Sequence, residues 1–287
     1  MSTILICGHR SYASRGLKNL LETKGHNVLC FSRGEQKRDG DVITGPVKEL
    51  DKNPFFDDKV DIVINFILLQ KESAEENVAY IDSLLRFCKA KRVTRLIQIS
   101  SISAYPNDAS FINENTPVET DLNKKGEYGL IKSAVDRRLE DAKHNCCLDI
   151  IFARPGYIVA DDNPHPFKGI AKHFGGKFAI LLGNKRSTLP CIKRNSLHSC
   201  LEEIALQDNP LPVYLLIEGD NTTKYAYFKT LSKSIVLTLP KWCFVFAANV
   251  AKSLHLISDK TASGIKGVFK EQKFNNSITK SQLHSLK

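Results

Sequence analysis

Ile4-Leu5-Ile6-Cys7-Gly8-His9-Arg10-Ser11-Tyr12-Ala13-Ser14-Arg15-Gly16 opens the chain, and its reading decides the fold. Four apolar residues without polar alternation read as a strand buried on both faces. A turn of small and polar residues follows, and Gly16 to Lys24 then carries a helical pattern. The alternation continues. Strand-like runs recur at Val28–Phe31, Asp61–Phe66, Leu96–Ile99 and Leu148–Phe152. Helical patterns fill Ala74–Ala90 and Gly126–Lys143. The polar stretch 34–59 has room for one weak strand near Val42-Ile43.

Apolar strands alternating with helices predict an α/β fold, a doubly wound parallel sheet of Rossmann type covered on both faces. After Arg154-Pro155-Gly156 the alternation breaks, and glycine and proline become frequent at Pro164, Pro166, Gly169, Gly175, Gly176, Gly183 and Pro190. The expected division is a dinucleotide-binding domain over 1–155 and a smaller C-terminal α/β substrate lobe over 156–287. A strand near 213–217 returns to the main sheet. Trp242 to Val250 is too short to cross a bilayer and reads as a buried helix. The polar tail after Lys270 reads as poorly ordered.

The 287 residues suffice to bury a full core. Apolar residues make up 42% and charged residues 25%, which is ordinary for a soluble globular protein. No basic leader opens the chain, so a cytoplasmic setting is expected. Eight cysteines without a Cys-x-x-Cys pair, two of them adjacent at Cys146-Cys147, fit a reduced compartment. No histidine or cysteine spacing matches a metal site, so none is expected. A net charge of +10 is dispersed apart from groups such as Lys185, Arg186, Lys193 and Arg194. Without an arginine-rich arm or aromatic platform, this argues against nucleic acid and for anionic small molecules.

The turn after the first strand has the place of a dinucleotide loop. Such a loop needs small residues, so that the backbone turns tightly and a pyrophosphate approaches a helix N-terminus. A Gly-x-x-Gly-x-x-Gly spacing would put glycine at 8, 11 and 14, and this chain has Gly8, Ser11 and Ser14. A serine at a position of positive φ would be strained. The second strand ends Phe31-Ser32-Arg33 with no acid to bind a ribose 2′-hydroxyl. Ser32 and Arg33, with Arg10 as second partner, suit a 2′-phosphate, so NADP is favoured and NAD is the alternative.

Tyr128 and Lys132 stand four apart, so on a helix they share a face. An ammonium beside a phenol favours phenolate, which makes an acid/base pair for an alcohol or carbonyl oxygen. Tyr225 and Lys229 repeat the spacing. Only Tyr128 has a strand running into Ser100-Ser101 upstream, 27 residues before it.

In order, these pieces resemble an extended short-chain dehydrogenase/reductase of the nucleotide-sugar epimerase/dehydratase class. They are the loop at 8–14, Asp61–Phe66, Asn77, Ser100-Ser101-Ile102-Ser103-Ala104-Tyr105, Tyr128 with Lys132, and Arg154-Pro155-Gly156. The likeness covers residues 3–160. It continues loosely through Cys191–Leu197, where Asn195-Ser196 replace a pair of acids. The resemblance implies Tyr128 as acid/base, Lys132 as its tuner and a ribose ligand, and Ser101 as the hydroxyl that holds the reacting oxygen. It implies Asn77 as a support of the active-site backbone. It places Gly8, Tyr12, Phe66 and Pro155 with the serines around the dinucleotide. Ile102 lies on the substrate side, and Lys185, Arg186 and Arg194 are the expected diphosphate cations. Gly8-His9-Arg10 is similar to the opening of the class's NADP-dependent epimerase-reductases. The class's 4,6-dehydratases carry Asp-Glu after the hydroxyl, and Ile102-Ser103 stand there instead, which argues against that reaction. The expected activity is a 4-keto-sugar nucleotide reductase of surface polysaccharide synthesis. A 4-epimerase with tightly held NAD and a silent binding protein are the alternatives. A homodimer through Ala74–Ala90 and Gly126–Lys143 is also implied.

Overall fold

The computed structural model describes residues 1–121, 124–143, 148–162, 171–174, 178–181, 185–219, 223–231, 235–238, 241–253 and 272–286. Cys146-Cys147 and Pro164, Pro166, Gly169, Gly175, Gly176 and Gly183 lie outside that set. The first half runs β1 (Thr3–Cys7), α1 (Leu17–Thr23), β2 (Asn27–Arg33), β3 (Lys37–Asp39), β4 (Val42–Gly45), β5 (Ile62–Asn65), α2 (Ala74–Lys91), β6 (Arg95–Ile99), β7 (Phe111–Ile112) and α3 (Glu127–Lys143). The second half runs β8 (Asp149–Pro155), β9 (Tyr157–Val159), β10 (Ala171–Phe174), β11 (Phe178–Leu181), β12 (Cys191–Lys193), α4 (Arg194–Leu206), β13 (Val213–Leu216), α5 (Lys224–Leu231), β14 (Ile235–Thr238), α6 (Lys241–Ser253), β15 (Lys273–Phe274) and α7 (Ser277–Gln282).

Eight strands form one sheet in the order β13-β8-β6-β5-β1-β2-β4-β3. Every pairing is parallel except β3–β4 at the edge. Strand alternation splits the core in two. Ile4, Ile6, Val28 and Cys30 face α1 and α4, whereas Leu5, Cys7, Leu29 and Phe31 face α2 and α3. Both faces are therefore buried, as the unbroken apolar strands predict. The sheet order reverses direction between β1 and β5, so the crevice over their C-terminal ends is where a ligand is expected in such folds.

The weak strand expected near Val42-Ile43 is β4, and polar Lys37–Asp39 add β3 beside it at the edge, where a strand needs only one neighbour. Two expectations are corrected. The tail is ordered: Leu283 and Leu286 are buried, and Asn276 donates to the carbonyls of Leu215 and Ile217 at 3.2 and 2.7 Å. Helix α6 is not buried along its length, since Trp242 is 70% exposed and Phe246 66%. An apolar run alone does not say whether anything packs on it. The predicted returning strand is β13, which pairs with β8.

Candidate active site

A cleft of about 1040 Å³ opens over the C-terminal ends of the strands. Ser101, Tyr128 and Lys132 all line it. Ser101 stands where β6 gives way to a 3-10 turn, Ile102–Ala104, and its Oγ accepts from the Ser103 N–H at 3.1 Å. Tyr128 sits in the first turn of α3, half-exposed to the cleft. Lys132 lies one turn further along, buried, with Nζ 5.9 Å from the Tyr128 ring centroid. Its ammonium also donates to the Ile99 carbonyl at 2.6 Å, which ties α3 to the end of β6. Tyr225 and Lys229 lie on α5, outside this lining.

The loop after β1 lines the same cleft through Ser11 and Tyr12, as do Phe66, Pro155 and Ile102. Gly8 has φ +84°, and a Cβ there would stand 3.1 Å from both the Ile67 N and its Cγ1. Glycine is thus required by both backbone and space. Ser11 and Ser14 are not in the left-handed region, where Arg92 is the one non-glycine among the described residues. Their hydroxyls turn inward. Ser14 Oγ donates to the Gly8 carbonyl at 2.8 Å and lies 2.8 Å from Ser11 Oγ. The steric objection to serine in a dinucleotide loop is therefore absent, and the loop residues fit a nicotinamide dinucleotide.

The remaining predicted residues are not in the cleft lining. Gly8 N–H donates to the Phe31 carbonyl at 2.7 Å, which sets Ser32 and Arg33 beside the loop. Ser32 is buried, while Arg33 and Arg10 are exposed. Asn77 is buried and binds both the N–H and carbonyl of Leu69, at 2.8 and 3.0 Å, so it braces the chain after β5. Lys185 and Arg186 are exposed and outside the lining. Arg194 is also outside it, ion-paired with Asp162 at 3.1 Å and stacked on Tyr12.

Sequence reasoning missed two buried groups beside Tyr128 and Lys132. Asp136, four after Lys132 on α3, accepts from Ser100 Oγ at 2.6 Å and from Arg154 Nη2 at 3.2 Å. Burial pushes its carboxyl up, and Arg154, Ser100 and Lys132 pull it back. Ser100 lines the cleft as well, but it is buried and its hydroxyl is tied to Asp136. Lys125, three before Tyr128, is buried and lines the cleft while donating to Ser103, Tyr105 and Asn107. The signal for Asp136 was its i+4 spacing from Lys132, which puts a second polar side chain on the same buried helix face.

Among the described residues no helix is long and apolar enough to cross a membrane. The sequence matches the NAD dependent epimerase/dehydratase family over residues 4–174. No curated protein matches the chain. Solved structures similar in fold include a short-chain dehydrogenase/reductase superfamily protein from Agrobacterium tumefaciens with bound NAD. It is 14% identical, with 98% of this chain and 91% of that one covered, at a TM-score of 0.71. UDP-glucose 4-epimerase from Thermotoga maritima, with UDP-glucose, is 13% identical over 97% and 91% of the chains, at 0.70. Human epimerase family protein SDR39U1, with NADPH, is 17% identical over 98% and 93%, at 0.64. With the match spanning more than half of its length, the chain belongs to the NAD dependent epimerase/dehydratase family.

Proposed function

We propose that this protein is an NADP-dependent reductase of a 4-keto-sugar nucleotide. The observation that carries the reading is that Ser101, Tyr128 and Lys132 line one cleft together with Ser11 and Tyr12 of the loop after β1. The bound dinucleotide supplies the hydride to the carbonyl carbon. Tyr128 gives its hydroxyl proton to the carbonyl oxygen, and the product is an alcohol. The Ser101 hydroxyl donates to that same oxygen and holds it in place. The Lys132 ammonium offsets the negative charge left on the Tyr128 ring oxygen.

Arg33 and Arg10, with Ser32, are the residues proposed for a 2′-phosphate, since no acid ends β2. Lys185 and Arg186 are proposed for the substrate's diphosphate, and residues 156–287 for the substrate lobe. Neither Ile102 nor Ser103 can serve as a general acid or base at neutral pH, which leaves the reading without a dehydration step.

The test is NADPH consumption with a 4-keto-sugar nucleotide. Tyr128→Phe is expected to lower the rate about 10²–10⁴-fold, the usual range for a lost general acid. Cofactor binding should stay within about twofold. An unchanged rate would refute the assignment.

A 4-epimerase with tightly held NAD is the second reading. It is favoured by the likeness to a fold that holds UDP-glucose in the Thermotoga maritima enzyme. A dinucleotide that co-purifies and does not exchange with added NADPH would decide for it.

A further inference from the structure

We propose that the first turn of α4 is a clasp on the dinucleotide loop, with Arg194 and His198 as positioning residues for the cofactor rather than ligands of the substrate. The proposal rests on the reading that this loop binds a dinucleotide. Four contacts carry it, all made to consecutive parts of one loop from groups more than 140 positions away in sequence.

The Arg194 guanidinium lies 5.2 Å from the centroid of the Tyr12 ring, and its Nη1 is 3.5 Å from the Tyr12 carbonyl. The same nitrogen pairs with Asp162, whose carboxylate also accepts from Arg15 Nη1 at 3.0 Å. Asp162 thus bridges a cation on the loop to a cation on α4. One turn on, the His198 Nε2–H donates to the Ala13 carbonyl at 2.8 Å. The imidazole is 3% exposed, and burial lowers its pKa, so it makes this bond as a neutral ring.

Arg194 and His198 stand four apart and therefore share a face of α4. That face is held by packing. Leu197, Cys200 and Leu201 are buried with Leu17 and Leu21 of α1 in one core cluster. The clasp is thus anchored to the helix that follows the loop. Tyr12 lines the cleft, so its backbone and ring are fixed on the cofactor's side of the wall. A loop held in its bound form before the ligand arrives loses less conformational freedom on binding. Arg194 Nη1 is engaged by Asp162 and the Tyr12 carbonyl, which turns the group toward the loop rather than toward a diphosphate.

Two measurements on the full chain test the clasp. The first is hydrogen exchange at the amides of residues 11–16 in the ligand-free protein, which needs no cofactor. Arg194→Met and Asp162→Asn should each speed that exchange at least fivefold, while exchange in β5 and β6 stays unchanged. The second is the Kd for NADPH, set against the substrate KM at saturating NADPH. Arg194→Met should raise the Kd about tenfold and leave the KM within twofold, and Arg194→Lys should recover part of the loss. Asp162 is on the surface, so Asp162→Asn keeps the test alive if the Arg194 variant fails to fold. It should raise the Kd about threefold. A raised KM with unchanged Kd would return Arg194 to the substrate and overturn the clasp, as would unchanged exchange in both variants. Faster exchange in a chain whose wild type binds neither NADPH nor NADH would leave the loop clasped but overturn its service to a cofactor, and with it the proposed function.

Discussion

The Lys125 ammonium donates to the Ser103 carbonyl at 2.8 Å, and so joins the turn that carries Ser101 to the start of the helix that carries Tyr128. The same nitrogen donates to the Tyr105 carbonyl and, at 3.2 Å, to Asn107 Oδ1. Three hydrogens meet three acceptors, so Lys125 fixes the spacing between the turn that carries Ser101 and the helix that carries Tyr128. Lys125→Met should lower kcat about tenfold with little effect on cofactor Kd, read by steady-state rates and NADPH titration. A pH dependence follows as well. Burial lowers Lys125 from its ordinary 10.5 to about 8, against the upward pull of Glu119 and Asp108. Between those two values the unfolded chain holds more protons, so the stability attributable to Lys125 rises as pH rises from about 8 to 10.5. The difference in unfolding free energy between wild type and Lys125→Met should increase across that window, by at most about 3 kcal/mol. A flat difference would refute the burial of a charged amine there.

Arg154 and Asp136 form an ion pair with side chains 4% and 0% exposed. The Arg154 guanidinium is also stacked between aromatic faces, 4.8 Å from the Tyr105 ring centroid and 5.4 Å from that of Phe152. Removing one partner of such a pair strands a buried charge, which costs about 3–5 kcal/mol. Arg154→Met should show a loss of that size in urea unfolding. The double variant Arg154→Met/Asp136→Leu should recover most of it, because no charge is then left unpaired. Equal losses in the single and double variants would mean that packing on the rings, not the charge, is what Arg154 supplies.

The parallel sheet was legible because its strands are apolar on both faces, and helices at 74–91 and 127–143 declare themselves by pattern. For α2 even the start is written in sequence: Ser73 Oγ accepts from the Glu76 N–H at 3.3 Å, with Glu75 and Glu76 in the first turn. That Ser101, Tyr128 and Lys132 share a cleft was legible because Tyr128 and Lys132 are close in the chain and Ser101 ends a strand. Lys125, Asp136 and His198 were not, for a common reason. Each is a charged or polar residue whose meaning comes from partners distant in sequence, at Ser103, Arg154 and Ala13. Lys125 reads as a surface cation until its acceptors are known. Arg194 was found as a residue, but its partners Asp162 and Tyr12 were not, since composition records a cation and not what it faces. The tail failed similarly: Thr279 looks like loop, yet its N–H donates to buried Glu114 at 2.7 Å and its hydroxyl accepts from the Leu215 N–H.

Trp242 is the single tryptophan of the chain and is 70% exposed on α6. Its emission therefore reports one site. The native protein should fluoresce at a wavelength close to that of the unfolded chain, and iodide should quench it almost as efficiently as in urea. A blue-shifted, poorly quenched native emission would mean that the Trp242 face is covered in solution. Trp242→Ser should change thermal stability by less than about 0.5 kcal/mol, as exposed substitutions usually do.

The loop after β1 allows the two kinds of small residue in it to be told apart. Gly8→Ala places a methyl against the Ile67 backbone at a φ of +84°, so strain of about 1–3 kcal/mol is expected together with weaker NADPH binding. Ser14 is different. Its side chain is 2% exposed, and its hydroxyl holds the Gly8 carbonyl while meeting the Ser11 hydroxyl. Ser14→Ala removes those bonds from a buried position and should cost about 1 kcal/mol. Ser14→Gly, although it restores the glycine spacing usual in such loops, should cost more than Ser14→Ala, because it adds backbone freedom where φ is not positive. NADPH affinity should follow the same order, with Ser14→Gly the weaker binder. Urea unfolding and calorimetric titration of the two variants check both halves. If Ser14→Gly instead bound NADPH more tightly than wild type, the serines would be obstacles to the dinucleotide rather than the internal ties that give the loop its shape.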